Sequence, residues 1–263
     1  MIPNLEFLPA DGYQAPLQQT GTVIGGEENH ITFTYVSNAN TAPTIAALAD
    51  QSIPLNGATA ALSCAIGDAE TAAADLTLTA ESSNPALVPV AGIVFGGSGA
   101  NRTLTATPTA NRLGSATITV TVSDGMLSSS TAFVLTVTGT ALETWCHEHF
   151  GSPANDGPGA DGADPDGDGR RNLDEFAAGT GPNNATDFFR ILTATKTASA
   201  YTLTADGKAG RSYVMERSTA PGTDAWVSVG TVGPLVAPGP VELTDPAPPP
   251  NAGFYRLRVT GPR

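Results

Sequence analysis

Short segments that alternate threonine or serine with apolar residues recur between residues 41 and 140. They read ATAALSCAI, DLTLTAES, NRTLTATP, GSATITVTVSDG and TAFVLTVTG, at near-regular spacing. Successive side chains of a β-strand point to opposite faces, so the alternation predicts strands with one buried and one solvated face. TIAALADQSIPL predicts an entry strand broken by a proline, a device typical of edge strands. Asp124-Gly125 marks the turn between the last two strands, which we expect to pair. So many strands in so short a span favour one β-sandwich over residues 41–140.

Two further regions also have strand patterns. Residues 188–263 contain six candidate strands separated by Gly, Pro and Asp turns, namely FFRILTAT, AYTLTAD, RSYVMERS, AWVSVGT, PVELTD and GFYRLRV. Residues 1–40 contain two, LEFLPADGY and HITFTYV, which cannot bury a core alone. We therefore expect residues 1–40 to be the tail of a preceding β-module. The composition, 40% hydrophobic but only 6% aromatic, agrees with a mainly β protein.

The formal net charge is −13, from 12 basic and 25 acidic residues. Nucleic acid is therefore excluded as a partner, because binding its phosphates requires a concentrated basic face. No apolar stretch is long enough to span a bilayer, and the N-terminus lacks the basic and apolar regions of a signal peptide. Because the domain types predicted below are usually extracellular, we expect that the start of a longer protein is missing. The two cysteines, Cys64 and Cys146, could pair, but buried free thiols are the favoured interpretation.

The twelve residues DPDGDGRRNLDE, from Asp164 to Glu175, have the spacing of a calcium-binding loop. Carboxylates occupy positions one, three and five, and Gly169 stands at position six, where the chain must turn sharply. Position seven would contribute only its backbone carbonyl, and position twelve would supply a bidentate carboxylate. The predicted ligands are Asp164, Asp166, Asp168, Arg170, Asn172 and Glu175. Hard oxygen ligands in this arrangement suit Ca²⁺ better than Mg²⁺, which demands a tighter octahedron.

Helical patterns flank this loop. Leu142, Trp145, Cys146 and His149 fall at helical spacing, with Phe150 closing the apolar face. A short exit helix follows the loop and carries an apolar set, Leu173, Phe176 and Ala177. Gly179 and then Pro182 predict where this second helix stops. The sequence thus predicts a helix, a calcium loop and a second helix between residues 141 and 187.

Residues 43–138, with IGDAET, LTLTAESSNPALVP, NRTLTATPTANRLGSATITVTVSDG and FVLTV, resemble the Ig-like, cadherin-like repeats of tandem bacterial surface proteins. The loop resembles the solitary loops of dockerin and thrombospondin type 3 repeats, because Arg171 stands where paired EF-hands carry an aliphatic residue and no second loop exists. DPDGDGRRNLDEFAAGTGPNN is similar to the linker that precedes the terminal domain of many secreted proteins of Verrucomicrobia-like bacteria, although Gly181 replaces an acidic residue. YVMERST, AWVSVG and FYRLRV resemble the terminal domain of those proteins, which implies a fibronectin type III-like sandwich.

Other candidate sites have simpler interpretations. Cadherin-like repeats hold calcium at their ends, and Asp68, Glu70 and Asp124 could lie there, but loop carboxylates of this kind usually serve turns. Cys146-His147-Glu148-His149 could be taken for a zinc site, yet a helix presents only two of these ligands on one face. The strings NRT and NAT would accept glycans only in a suitable secretory host.

No catalytic constellation is evident. The chain has three histidines and no G-x-S-x-G, and GGSGANR lacks the helix and basic residue of a phosphate loop, so we interpret it as a turn. We therefore predict a non-enzymatic, calcium-binding structural or adhesion segment of an extracellular bacterial protein. Its expected partners are neighbouring domains and a cell-surface protein or glycan. The alternative is a carbohydrate-binding or dockerin-like accessory module of a secreted enzyme, with Tyr201, Tyr213 and Trp226 as possible sugar contacts.

Overall fold

A computed structural model describes residues 39–220, 225–250 and 253–261 of the chain. The predicted module at residues 1–40 lies almost wholly outside the described residues. The first β-sandwich has eight strands: β1 Thr44–Ile45, β2 Gln51–Pro54, β3 Leu62–Gly67, β4 Thr77–Ser82, β5 Ile93–Ser98, β6 Asn101–Ala106, β7 Gly114–Ser123 and β8 Ser128–Thr138. The mainly β architecture predicted from the alternating segments is confirmed.

The strands of the first sandwich form two four-stranded sheets, in the orders β1-β3-β6-β5 and β2-β8-β7-β4. If β1 and β2 are taken as two parts of strand A, the sheets are A-B-E-D and A′-G-F-C, which is the order of an immunoglobulin-like sandwich. Between the sheets, alternate strand residues build a single core that includes Leu104, Ile118 and Phe133, each no more than 2% exposed. Cys64 lies in this core as a free thiol, and Cys146 is a buried free thiol elsewhere, so the favoured interpretation of the cysteines is confirmed.

The structure corrects two sequence interpretations in this sandwich. TIAALADQSIPL is not one broken strand, because β1 pairs antiparallel with β3 while β2 crosses to the other sheet and pairs parallel with β8. GGSGANR is not only a turn, since Gly96–Ser98 end β5 and Asn101 opens β6 of one hairpin. Strand β5 lacks the alternation of polar and apolar residues because it ends in glycines, and Gly97 and Gly99 have left-handed φ values that are typical of turns.

A second, smaller sandwich is formed by six strands: β9 Ile191–Lys196, β10 Tyr201–Gly207, β11 Ser212–Ser218, β12 Val227–Val232, β13 Gly239–Asp245 and β14 Phe254–Thr260. The predicted six strands of residues 188–263 are therefore all present. They make two three-stranded sheets, β13-β10-β9 and β12-β11-β14. Leu203, Tyr213, Met215, Val241 and Leu243 form the buried core between them. Strand β9 lies at a sheet edge, and all six of its residues are exposed.

Two α-helices lie between the sandwiches, α1 at Ala141–Phe150 and α2 at Asn172–Ala178. Short 3-10 turns occur at Val90–Gly92 and Gly157–Gly159. Helix α1 begins with a capping box, in which the Glu143 backbone N–H donates to Thr140 Oγ1 (3.2 Å) and the Thr140 N–H donates to Glu143 Oε2 (2.7 Å). Helix α2 ends at Gly179, whose left-handed φ of 78° accommodates the predicted stop.

The capping box gives a local test of the joint region. Substituting Thr140→Ala leaves the Glu143 N–H without its acceptor, so the free energy of unfolding of the transition that contains α1 should fall by about 1 kcal/mol. Thr140→Ser keeps the hydroxyl and should leave that transition nearly unchanged in urea unfolding followed by circular dichroism. Equal losses in the two variants would contradict the capping role.

Candidate metal centre

The acidic loop is shaped by its own backbone N–H groups. Asp164 accepts from Gly167 N at Oδ1 (2.9 Å) and from Gly169 N at Oδ2 (2.9 Å). Asp166 Oδ1 accepts from Asp168 N (3.2 Å), and Asp168 Oδ1 accepts from Arg170 N (2.6 Å). These bonds wrap the chain around its carboxylates. Gly169 has a φ of 88°, so the sharp turn predicted at position six is present, and Gly167 makes a second left-handed turn at 76°.

The three aspartates converge. One carboxylate oxygen from each of Asp164, Asp166 and Asp168 lies within 4.8 Å of the others. Within the described part of the chain, this is the only group of three or more potential metal-ligating side chains. Asp166 Oδ2, Asp168 Oδ2 and Glu175 Oε2 are buried and have no hydrogen-bond partner among the described residues. Buried carboxylate oxygens are normally paired with donors or with a cation, so this set has the chemistry of a hard-cation site.

Glu175, the predicted ligand at position twelve, lies in helix α2, and its carboxylate is not part of the group formed by the three aspartates. Its side chain is almost wholly buried, at 1% exposure, and Oε1 accepts a long hydrogen bond from Thr180 Oγ1 (3.4 Å). Burial, together with the negative charges of Asp166 and Asp168, raises the pKa of Glu175 to about 7. Without a cation, a carboxylate at this position is therefore electrostatically unfavourable near neutral pH.

Two predicted ligands, Asn172 and Arg170, also make contacts outside the loop. The Asn172 Nδ2 group donates to the carbonyl oxygens of Pro158 (2.7 Å) and Ala160 (2.8 Å), while its Oδ1 is buried and unpartnered among the described residues. Asn172 thus ties the preceding Gly- and Pro-rich run to the start of α2, a role that its position in the loop did not reveal. Arg170 lines a cavity of about 230 Å³ together with Glu175, Thr180, Phe189 and Val259.

The loop connects two packed helices. Trp145 of α1 packs edge-to-face against Phe176 of α2, with ring centroids 5.8 Å apart, and also contacts Phe150 and His149. His149 is exposed against the Trp145 ring instead of belonging to the buried face. Leu173, expected on the apolar face of α2, is 42% exposed.

Helix α2 is also joined to the second sandwich. Arg211, just before β11, donates from Nε to Ala177 O (2.9 Å) and from Nη2 to Phe176 O (2.6 Å). Lys208 forms an ion pair with Asp187 (2.5 Å), and Asp187 also accepts from Gly181 N (3.1 Å). Sequence reasoning missed Arg211, because a basic residue 34 positions after Ala177 gives no local signal of a cap.

Asp68 and Asp124 of the first sandwich serve turns, whereas Glu70 Oε2 accepts from Thr41 N (3.0 Å) and Thr41 Oγ1 (2.8 Å). Asp124 Oδ1 accepts from the N–H groups of Met126 and Leu127 (both 2.7 Å), and its Oδ2 accepts from Asn40. Asp68 accepts from Glu70 N and Thr71 N. The zinc interpretation has no support in the described residues, where Cys146 donates to Gly159 O (3.7 Å).

The aromatic candidates for sugar contact are occupied by other contacts. Tyr213 is fully buried in the second core and stacks on Phe189. Tyr201 stacks on Tyr255 with ring centroids 4.1 Å apart. Trp226 is half-buried beneath Arg256, whose Cζ lies 4.2 Å from its ring centroid. Each of the three rings therefore already has one face or more in contact with another side chain.

The described residues contain no helix long and apolar enough to cross a membrane. No protein-family model matches the chain, and no curated protein matches it. Among solved structures, a chimeric titin Z1Z2 carrying a decorin peptide is 15% identical, over 38% of this chain and 98% of that chain, with a TM-score of 0.29. Titin M4 is 17% identical, over 38% and 99%, with a TM-score of 0.30. The Ig1-2 module of the Drosophila receptor protein tyrosine phosphatase DLAR is 15% identical, over 38% and 50%, with a TM-score of 0.29. At these values the immunoglobulin-like assignment rests on the strand order alone.

Proposed function

We propose that the loop Asp164–Glu175 binds one Ca²⁺ ion and that the ion holds α1, the loop and α2 together as a rigid joint between the two β-sandwiches. The protein would then be a non-enzymatic structural or adhesion segment of an extracellular or cell-surface chain. The observation that carries the proposal is the set of three buried, unpartnered carboxylate oxygens on Asp166, Asp168 and Glu175. The ion would compensate the negative charge of the loop carboxylates.

The donor set fits calcium. One carboxylate oxygen from each of Asp164, Asp166 and Asp168 already converges, and Glu175, buried in α2, would complete the set when the ion binds. The Arg170 carbonyl and the unpartnered Asn172 Oδ1 are further oxygen donors within the same twelve residues. Ca²⁺ accepts six to eight such oxygens in a flexible geometry, whereas Mg²⁺ keeps several waters.

A joint function is supported by where α2 makes its contacts. Phe176 of α2 packs on Trp145 of α1, and the Phe176 and Ala177 carbonyls accept from Arg211 of the second sandwich. Glu175, the predicted closing ligand, immediately precedes Phe176. Ordering α2 around an ion would therefore fix contacts on both of its sides.

A structural role is also favoured over a sensor role. Arg171, at position eight, forms an ion pair with Asp174 (3.0 Å), with both side chains at least half exposed. The aliphatic pairing residue that joins two calcium loops is absent, and the sequence has no second such loop. We expect a modest affinity, with Kd between about 10⁻⁵ and 10⁻³ M, as in extracellular modules.

Calorimetry tests the proposal directly. Calcium should give binding heat for one site. At a calcium concentration of 100 times Kd it should stabilise the folded state by roughly 2.7 kcal/mol and thereby raise the melting temperature of the transition that contains α2. Magnesium at the same concentration should give a much smaller shift. Asp166→Ala should lose both the heat and the shift.

Asp161→Asn is the matched control, since it removes one nearby acid that lies outside the predicted ligand set. It should bind calcium as the wild type does. Absence of heat and of any melting shift in the wild-type protein would overturn the proposal.

A further inference from the structure

Charge is unevenly distributed along the chain. Residues 1–187 contain four Lys and Arg residues against twenty Asp and Glu, whereas residues 188–263 contain eight against five. The second sandwich is therefore basic although the whole protein is acidic. An excess of fixed positive charges on one module attracts anions to that module.

Two of these cations lie side by side on one sheet face. On β14, Leu257 and Val259 pack on the core, so Arg256 and Arg258 point to the outer face of the sheet β12-β11-β14. Residues two apart on a strand are about 7 Å apart along it. The Arg256 and Arg258 side chains are 48% and 51% exposed.

Glu216 of β11 holds both guanidinium groups. Its Oε2 accepts from Arg256 Nε (2.7 Å) and its Oε1 accepts from Arg258 Nε (3.1 Å). The Glu216 side chain is only 10% exposed, and the Arg256 guanidinium also lies over the Trp226 ring. The hydrogen bond from Arg256, more than any other contact, holds the pKa of Glu216 below its ordinary value. The Glu216 carboxylate therefore remains charged near neutral pH. In the described part of the chain, the Nη groups of both arginines have no hydrogen-bond partner.

We propose that Arg256, Arg258, Glu216 and Trp226, here called the arginine face, bind an acidic polysaccharide through its carboxylate or sulfate groups. Guanidinium groups pair with such anions through two parallel hydrogen bonds. Because Glu216 already fixes both groups, less side-chain freedom is lost on binding. A polymer with repeated charges can engage both arginines along one strand direction. This proposal does not depend on calcium binding.

Nucleic acid fits the arginine face less well. Stacking of bases needs a free aromatic surface, and Arg256 already covers the Trp226 ring. The remaining outer-face neighbours include the hydroxyl residues Ser212 and Thr260, which pair with each other across the strands and suit contacts with sugar hydroxyls.

Three polymers with one backbone provide the test: carboxymethyl dextran, dextran sulfate and neutral dextran. The full chain should bind one or both anionic polymers in calorimetric titration and should not bind neutral dextran.

Arg256→Gln/Arg258→Gln should weaken binding roughly tenfold per arginine, since each lost pairing costs about 1.4 kcal/mol or more. The control Arg190→Gln/Lys196→Gln also removes two positive charges, one just before β9 and one at its end, and should bind the polymers as the wild type does. Equal loss in the control would overturn the site, because net charge alone would then explain binding.

Glu216→Gln separates a preorganised site from general positive charge. It makes the face more positive but releases the two guanidinium groups, so the arginine face should bind more weakly than in the wild type. Tighter binding by Glu216→Gln, in a protein whose circular dichroism is unchanged, would overturn the proposal. Self-association in sedimentation without polymer, abolished by Arg256→Gln/Arg258→Gln, would also overturn it by assigning the face to the acidic part of a second copy.

Discussion

Glu175→Gln is expected to stabilise the calcium-free protein at neutral pH and to abolish its stabilisation by calcium. The wild-type carboxyl is 1% exposed and lies near the charges of Asp166 and Asp168. An amide has the same shape without the charge, so the calcium-free fold should gain on the order of 1 kcal/mol. The same change removes the predicted bidentate ligand, and calcium affinity should fall by roughly 100-fold or more. Opposite effects in the two states distinguish a ligand from a merely structural glutamate.

The difference in stability between the calcium-free wild type and Glu175→Gln should depend on pH. The folded pKa of Glu175, about 7, lies above its ordinary value of 4.5, so the folded state retains a proton that the unfolded state has lost between these values. The calcium-free wild type should therefore lose stability relative to Glu175→Gln as the pH rises from about 4.5 to about 7. Urea unfolding in a chelator at several pH values measures the difference. Asp174→Asn, an exposed neighbour on α2, should show neither effect. A retained calcium shift in Glu175→Gln would exclude Glu175 as a ligand.

Arg211→Met should uncouple the calcium loop from the second sandwich. The Arg211 side chain bridges Phe176 O and Ala177 O, and the residue is 9% exposed, so its loss leaves two carbonyls at the end of α2 without their donors. The expected cost is about 2–3 kcal/mol in the free energy of unfolding. In the wild type, calcium should raise the melting transition of the second sandwich, whereas in Arg211→Met it should raise only that of the helical joint.

Arg190→Met is the control for this experiment. Arg190 belongs to the same module but is exposed beside Phe188, so its loss should leave the coupling intact. If calcium still shifts the second sandwich of Arg211→Met as it does in the wild type, Arg211 does not carry the coupling.

Local sequence patterns predicted the parts of the fold that depend on local geometry. Alternation in GSATITVTVS marked β7, and the glycines at 169 and 179 marked the left-handed turns found there. The spacing of the acidic loop identified the aspartates that converge. Each of these features depends on neighbours within a few residues, which a single sequence displays.

Contacts between distant segments were not predictable in this way. The crossing of β2 to the opposite sheet depends on pairing with β8, more than eighty residues later. The anchoring of Asn172 depends on carbonyls of Pro158 and Ala160, which have no side-chain signature. The clamp of Glu216 on two arginines joins strands forty residues apart, and only the register of β11 and β14 brings them together.

The parallel pairing of β2 with β8 has a mechanical consequence. The chain enters the first sandwich at the two-residue strand β1, crosses to β2, and leaves after β8 towards α1. Tension applied along the protein would therefore pull the neighbouring strands β2 and β8 in opposite directions along their length. The backbone hydrogen bonds between Gln51–Pro54 and Leu135–Thr138 would share that load together instead of opening one at a time. The pairing of β2 with β8 should therefore make the first sandwich resist stretching at the end from which the chain continues into α1.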